Sequence, residues 1–295
     1  MMNKLFLPFF ALAFSTLANA QQFYFRGGLG YSIAHGGVAQ STITSNTSSV
    51  FPIHGSFSST QISGTNTQSF DLKRNSFSAG VQGVLAVGAM FSKNIGVDMA
   101  VNLGLATSNM ESSVYLESLE LRQWIITAQK ADLPIFITPS LVIQSDTGSK
   151  ITAYARGGIV LPVKAGMTQT VGYTRDRYNV QDSSWYRLNY NWTEDFNMRF
   201  NPGVSGSIGM KYKAKKGVTL WAELYLLSMN LYFRQSELTS YDQNGISTLN
   251  TFSQNERITN YEFEAEVSGT SNVMPTYQVP YSNIGLHAGI MVNLN

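Results

Sequence analysis

The sequence predicts an all-β fold, an eight-stranded antiparallel up-and-down transmembrane β-barrel with long loops at one end, from three observations. Eight segments alternate apolar and polar residues with the period of two that is typical of strands. The connections between these segments are alternately short and long. Charged residues make up only 13% of the chain, against about 25% in ordinary globular proteins.

The N-terminus has the features of a secretory signal peptide. Lys4 provides a positive charge, residues 5–17 are mostly apolar, and residues 18–20 (Ala-Asn-Ala) have the small-residue pattern of a cleavage site. An N-terminal membrane anchor is the alternative, but the apolar run is shorter than the about 20 residues that a helix needs to cross a bilayer. We therefore expect a signal peptide over residues 1–20 and one outer-membrane β-barrel domain over residues 21–295.

The third predicted strand, residues 94–105, shows the alternation most clearly. A tilted β-strand crosses a bilayer in about 9–11 residues, so its apolar positions are expected to face lipid and the positions between them the lumen. The first set is Ile95, Val97, Met99, Val101, Leu103 and Leu105, and the second is Gly96, Asp98, Ala100, Asn102 and Gly104.

Seven further segments follow the same rule. They cover residues 23–33, 77–88, 132–143, 151–161, 203–212, 218–226 and 283–294. In the second predicted strand the alternation places Phe77 and Ala79 on the lipid face. Pro134, Pro139 and Pro202 cannot donate to a strand ladder, so we expect them at bulges or near strand ends.

The connections alternate in length in a way that indicates sidedness. Short ones cover residues 92–94, 144–150 and 214–217, and long ones cover residues 35–75, 106–122, 164–199 and 234–279. Short periplasmic turns and long extracellular loops are typical of bacterial outer-membrane barrels. A soluble β-sandwich also alternates, but it rarely has this asymmetry, so we expect the bacterial outer membrane as location and its lipid as a partner.

The signal peptide, the eight alternating segments and the loop asymmetry together resemble the small outer-membrane barrels of the OmpA-transmembrane, OmpX and OmpW type. The resemblance covers the whole mature chain and is architectural, with no shared motif. It implies a monomeric barrel embedded in the outer membrane. Its OmpW-like part implies passage of small molecules, with hydrophobic ones as one candidate class.

Charged residues at inward positions form the first candidate site. Arg26, Asp98, Arg156 and Glu223 alternate in sign on the first, third, fifth and seventh strands. Such a set is either a charged gate or a structural plug, and we favour the plug because an eight-stranded barrel is just wide enough for side chains to fill. Glu223 is expected within reach of Arg26 or Arg156, with Lys211 on the adjacent strand as a nearer alternative.

The third long connection carries the second candidate site. Tyr, Trp and Arg are enriched in binding hot spots, which favours a recognition role for an extracellular ligand. An equally weighted alternative is that the fifth and sixth strands extend beyond the membrane as an aromatic hairpin. The candidate recognition residues are Tyr173, Arg175, Arg177, Trp185, Tyr186 and Trp192.

Other classes of function find little support in the sequence. The three histidines are scattered, with no metal-ligand spacing and no nucleophile–base pair, so we expect no cofactor, no metal and no enzymatic activity. The near-neutral net charge of +2 does not suggest nucleic acid as a partner. We expect a plugged outer-membrane barrel with a surface-structural or recognition role, with small-molecule transport as the alternative and an outer-membrane enzyme as the least favoured.

Overall fold

The structure is a computed structural model. It describes residues 22–35, 56–62, 67–73, 76–107, 109–117, 120–145, 148–264, 272–276 and 278–294. The predicted signal peptide and much of the first long connection lie outside these residues. Within them, no helix is long and apolar enough to cross a membrane.

Strands make up nearly all of the described chain. A 3-10 helix spans Leu249–Thr251, and α1, Gln254–Arg257, is a single turn. In chain order the strands are β1 (Gln22–Ala34), β2 (Ser56–Ile62), β3 (Thr67–Lys73), β4 (Gly80–Met90), β5 (Ile95–Thr107), β6 (Asn109–Glu117), β7 (Leu121–Ala131), β8 (Ile135–Gln144), β9 (Ile151–Lys164), β10 (Gly166–Asn179), β11 (Ser184–Arg199), β12 (Gly203–Lys215), β13 (Val218–Ser228), β14 (Asn230–Gln243), β15 (Ile246–Ser247), β16 (Ile258–Glu262), β17 (Val273–Pro275), β18 (Gln278–Pro280) and β19 (Asn283–Asn293).

Eight of these strands close into a barrel in the order β1-β4-β5-β8-β9-β12-β13-β19. Each strand is antiparallel to both of its neighbours, and β19 pairs back onto β1. The predicted eight-stranded antiparallel up-and-down barrel is therefore confirmed, and each predicted segment corresponds to one barrel strand. We call the end with the short connections the turn end and the opposite end the loop end.

The side chains of the barrel alternate between an apolar exterior and a mixed interior. Asp98 is 4% exposed, whereas Leu286 on the exterior is 68% exposed. This alternation follows from the pleat, which points successive side chains to opposite faces. Large apolar side chains exposed on the exterior include Phe25, Leu29, Leu85, Val87, Met99, Leu141, Ile143, Ile159, Val204, Ile208, Leu220, Leu224, Leu286 and Ile290.

The prediction for Phe77 and Ala79 is wrong. Both side chains are buried, at 0% and 6% exposure, because β4 begins only at Gly80. Gly80 has a positive φ of 121°, and the β4–β5 register shifts between Val81 and Gln82. The chain therefore does not keep strand parity before Gly80, and Phe77 packs at the loop end of the barrel.

Two of the three prolines lie just before strands, as expected for a residue that cannot donate to a strand ladder. Pro134 and Pro202 directly precede β8 and β12. Pro139 instead lies inside β8, opposite Met99 of β5. The β8–β9 pairing is interrupted there, resuming at Ser140 opposite Gly158, so no donor is required from the proline on that side.

Much of the chain that was predicted as long loops forms a second sheet. Its order is β17-β16-β14-β11-β10-β7-β6-β2-β3, with β15 and β18 also paired to β14. In the third connection β10 and β11 form an antiparallel hairpin, paired from Gly166 opposite Asn197 to Asn179 opposite Ser184. Polar side chains such as Gln129 and Gln169 occupy buried positions in this sheet. Its sequence therefore does not show the alternation of apolar and polar residues that predicts strands.

The barrel and the second sheet share one apolar core at the loop end, which we call the loop-end core. Phe196 and Phe233 from the second sheet pack in a tilted arrangement with ring centroids 4.6 Å apart. The ring centroid of Tyr281 lies 6.1 Å from that of Phe136 of the barrel. Burial of this many apolar groups ties the two sheets together. Its buried members are Phe77, Met110, Ala131, Phe136, Val160, Met167, Phe196, Tyr225, Leu227, Met229, Leu231, Phe233, Tyr261, Val279 and Tyr281.

Inward glycines make room for aromatic rings. A Cβ on Gly28 would lie 2.4 Å from Trp221 Cζ2 and 2.5 Å from the carbonyl oxygen of Ala288, and a Cβ on Gly88 would lie 2.2 Å from Tyr24 Cζ. Both glycines therefore serve close packing, which fills the lumen rather than opening it.

Gly28→Ala should destabilise the protein by about 1–3 kcal/mol, because the added methyl group has no space. Gly157→Ala is the matched control, since a Cβ there meets nothing within 4 Å. Urea unfolding of the refolded protein in lipid vesicles measures both. Equal unfolding midpoints for the two variants would contradict the packing of Trp221 against β1.

Candidate functional site

A layer of four paired charges fills the lumen, and we call it the charged layer. Arg26, Asp98, Arg156 and Glu223 come from β1, β5, β9 and β13, and the side chains of Arg26, Asp98 and Glu223 are no more than 2% exposed. Strand parity points all four inward. The structure thus brings the four predicted lumen charges into contact.

Glu223 lies at the centre of this layer. Its carboxylate accepts hydrogen bonds from Arg26 Nη1 at 3.4 Å, from Arg156 Nη2 and from the Tyr154 hydroxyl at 2.7 Å. The Ser207 hydroxyl adds a bond of 3.3 Å, and His287 Nδ1 lies 3.6 Å from Oε1. Both of the arginine partners that the sequence suggested are therefore present together.

Asp98 completes the layer on the opposite side of the lumen. Its Oδ2 atom lies 3.2 Å from Arg156 Nη1 and accepts a hydrogen bond of 3.3 Å from the Tyr24 hydroxyl. Arg26 Nη2 is 3.8 Å away, within ion-pair range but beyond a hydrogen bond. Each carboxylate thus contacts both guanidinium groups, and the four formal charges sum to zero.

Lys211 occupies a different environment from the one predicted. Its Nζ atom donates to Gln144 Oε1 at 2.9 Å and lies 4.9 Å and 5.6 Å from the ring centroids of Tyr154 and Tyr24. The prediction that Lys211 is a nearer partner of Glu223 than the arginines is therefore wrong. The reason is register: Lys211 pairs with Trp221, one inward position closer to the turn end than Glu223.

A layer of His, Gln, Asn and Ser side chains lies between the charged layer and the loop-end core. His287 Nε2 and Gln82 Oε1 are 3.0 Å apart, and Gln82 Nε2 donates to the Ser78 carbonyl at 2.7 Å. Asn283 Nδ2 donates to the Ser78 hydroxyl at 2.6 Å. From the turn end to the loop end, the lumen thus contains the charged layer, this polar layer and the apolar loop-end core.

Little space remains inside the lumen beside the charged layer. The cavity bounded by Arg26, Asn102, Arg156 and Glu223 has a volume of about 10 Å³, roughly the room needed for a single water molecule. Asn102 Nδ2 also bridges across to Thr138 Oγ1 at 2.9 Å. This cavity is too small to hold an organic substrate.

The sequence contained a signal for the aromatic members of the layer. Tyr24 and Tyr154 each stand two residues before an arginine of the layer, so the same parity that points the arginine inward points the tyrosine inward too. Trp221 stands two residues before Glu223, and the Arg26 guanidinium lies 4.6 Å from its ring centroid. The contacts of these three aromatic side chains with the charged layer were not predicted. Strand parity shows which side chains point inward, but it does not show which of them lie at the same depth in the lumen.

The six candidate recognition residues lie on both faces of the β10–β11 hairpin. Strand parity and register put Tyr173, Arg175, Arg177, Tyr186 and Trp192 on one face. The remaining residue, Trp185, lies on the opposite face. Its ring packs 5.3 Å from Tyr178 and under the Arg122 guanidinium at 4.8 Å.

No protein-family model matches the sequence, and no curated protein is significantly similar to it. Among the described residues, no group of three or more His, Asp and Glu side chains could hold a metal ion. The fold and the lumen therefore carry the functional argument alone.

Glu223→Ala should lower the free energy of unfolding by about 3–5 kcal/mol, because it leaves two buried guanidinium groups with a single carboxylate. Arg187→Ala is a control that breaks the exposed Arg187–Asp176 ion pair, and solvent screening should make its effect small. Urea unfolding midpoints in lipid vesicles compare the two. A Glu223→Ala midpoint equal to the wild-type value would contradict a dry, coupled layer.

Proposed function

We propose that this protein is a bacterial outer-membrane β-barrel with a closed, non-conducting lumen that presents its second sheet at the cell surface. The proposal rests chiefly on one observation, the filling of the lumen by the charged layer and its closure by the loop-end core. In this function the barrel is an anchor, and the surface role belongs to the second sheet. No enzymatic step is part of it.

The apolar exterior supports insertion into a membrane. Side chains such as Leu29, Ile208 and Leu286 are each more than 60% exposed, and similar residues surround the barrel on every strand. An apolar belt of this extent is unfavourable in water, whereas lipid solvates it. The closed ladder also satisfies the backbone groups of all eight strands internally, as a bilayer requires.

The contents of the lumen support the absence of a pore. An ion would have to displace the paired guanidinium and carboxylate groups of the charged layer and then cross the apolar loop-end core. Both steps are costly, because each separates buried charges or puts a charge among apolar side chains. Transport of small molecules, the alternative raised by the sequence, would need both layers to open.

Conductance in planar bilayers tests the closed lumen. We expect wild-type protein to insert without steady current steps. The double variant Arg156→Ala with Glu223→Ala removes one positive and one negative charge, and it serves as a test of whether the charged layer alone blocks the lumen. We expect it to stay closed, because the loop-end core remains. Steady conductance of the wild-type protein would contradict the proposal and favour the transport alternative.

Val101→Arg should impair folding into lipid, since Val101 lies near the middle of β5 on the barrel exterior. An arginine at the bilayer midplane of an outer-membrane barrel costs about 2–4 kcal/mol. Ile126→Arg is the matched control, because Ile126 is an exposed apolar residue on the second sheet, with 55% exposure. Refolding yields into vesicles should fall only for Val101→Arg, and equal yields would place the barrel exterior outside the membrane.

A further inference from the structure

Four aromatic side chains form a continuous surface on the second sheet, which we call the aromatic platform. Tyr173 of β10 and Tyr190 of β11 stack with centroids 5.8 Å apart and an interplanar angle of 23°. Tyr241 of β14 lies 6.4 Å from Tyr190 and stacks with Trp192 at 6.4 Å and 28°. The platform thus crosses three neighbouring strands, and all four rings are partly exposed.

Neighbouring apolar side chains on the same face of the sheet support the platform. Tyr173 and Trp192 pack against a buried cluster of Val114, Ile125 and Val171. The strand ladders fix the spacing of the rings, since Tyr173 pairs with Tyr190 and Trp192 pairs with Tyr241. A ligand that stacks on these rings would meet a surface that is already ordered, which lowers the entropic cost of binding.

The border of the platform is polar and carries positive charge. Gln123 Nε2 donates to the Tyr173 hydroxyl at 2.9 Å, and the exposed Gln243 lies opposite Tyr190. Arg175 and Arg177 follow Tyr173 on the same face, where Arg175 is partly exposed and Arg177 is exposed. An anionic group next to the rings would therefore find a cationic partner.

Among the acidic groups of the hairpin, Glu194 lies on the face of the platform and hydrogen-bonds Trp192 and Ser236, whereas Asp176 and Asp182 are engaged elsewhere. Asp176 lies on the opposite face, where it forms a bidentate pair with Arg187 at 2.8 Å for both bonds. Hydrogen bonds from Arg187 lower the pKa of the Asp176 carboxyl, so it stays ionised and paired at neutral pH. Asp182 in the turn accepts hydrogen bonds from Ser184 and Tyr186. Asp176 and Asp182 therefore do not pair with Arg175 and Arg177.

From this arrangement we infer that the aromatic platform, together with Arg175, binds an acidic saccharide chain. A pyranose ring has flat C–H faces that suit the negative face of an aromatic ring, and hydroxyl edges that suit the amides and phenols at the border. The carboxylate of a uronic acid suits the planar guanidinium of Arg175, which can bind it in a bidentate manner.

The position of the platform favours a saccharide in the surrounding medium over a lipid headgroup. Tyr173 lies seven residues beyond Gly166, where β10 begins. At about 3.3 Å per residue this is about 23 Å along the strand from the barrel rim. The inference rests on the proposed function for its location at the cell surface, but the binding chemistry is a property of the purified chain.

Titration of purified, detergent-solubilised full-length protein tests the inference. The probes are oligogalacturonate, which has a carboxylate on each ring, and a neutral glucose oligomer of equal length. We expect saturable binding of oligogalacturonate and binding of the neutral oligomer weaker by about tenfold, the value of one charge-assisted contact. Trp192→Ala should weaken oligogalacturonate binding by about tenfold, as loss of one stacking ring does for other planar ligands.

Trp185→Ala is the matched control, because it removes a tryptophan from the same strand but from the opposite face, and its binding should equal that of the wild type. Arg175→Gln tests the charge without removing a ring, and it should abolish the preference for the acidic probe. The unfolding midpoint of each variant is measured in parallel. If Trp192→Ala does not fold, the inference is tested by whether Arg175→Gln loses the preference for oligogalacturonate over the neutral oligomer.

Three results would overturn the inference: no binding of either oligomer, equal binding of both by the wild type, or equal losses in Trp192→Ala and Trp185→Ala. None of these would affect the bilayer conductance result, so failure here is distinguishable from failure of the proposed closed barrel.

Discussion

The mutual neutralisation of four buried charges is the constraint on which the barrel interior depends. An isolated ionised group in such an interior would cost several kcal/mol. Arg26 and Arg156 each contact both Asp98 and Glu223, so removal of any one member leaves an uncompensated charge. These contacts join β1, β5, β9 and β13, which are alternate strands of the barrel. The layer therefore fixes their relative positions across the lumen, where no backbone ladder can act.

Small and large residues have to alternate around this layer for it to fit. Trp221 packs against Gly28 and Tyr24 against Gly88, in positions where even a methyl group would clash. The same two rings contact cations, with Arg26 over Trp221 and Lys211 near Tyr24. Cation–π contacts of this kind gain strength when both groups are shielded from water. Glycine in a strand, normally unfavourable, is here the condition for placing an aromatic ring next to a charge.

The barrel could be predicted from the sequence and the second sheet could not, for a physical reason. The exterior of the barrel is apolar at every second position, so the alternation in β5 or β19 is nearly perfect. In the second sheet both faces contain polar groups. Gln129 and Gln169 are buried there, and Gln129 Nε2 donates a hydrogen bond of 2.7 Å to Gln169 Oε1. Such buried polar residues leave no hydrophobic periodicity in the sequence.

The candidate site was likewise predictable in part. Parity identified Arg26, Asp98, Arg156 and Glu223 as inward residues and their alternating signs suggested pairing. Parity does not give depth, because the stagger of barrel strands offsets neighbours by amounts that the sequence does not display. The position of Lys211 near Gln144 was therefore out of reach, and so was the meeting of Tyr190 with Tyr241, which requires knowing that β11 pairs with β14.

The barrel and the second sheet share one packed core, and this core affects how precisely the aromatic platform is positioned. Only Ala165 separates β9 from β10, and only Met229 separates β13 from β14. Met229 and Met167, the second residue of β10, are members of the loop-end core, so the strands that carry the platform emerge directly from a packed region. Binding surfaces on strands with such support are held more precisely than those on loops. The core that fills the loop end of the barrel is therefore the same core that orients the platform.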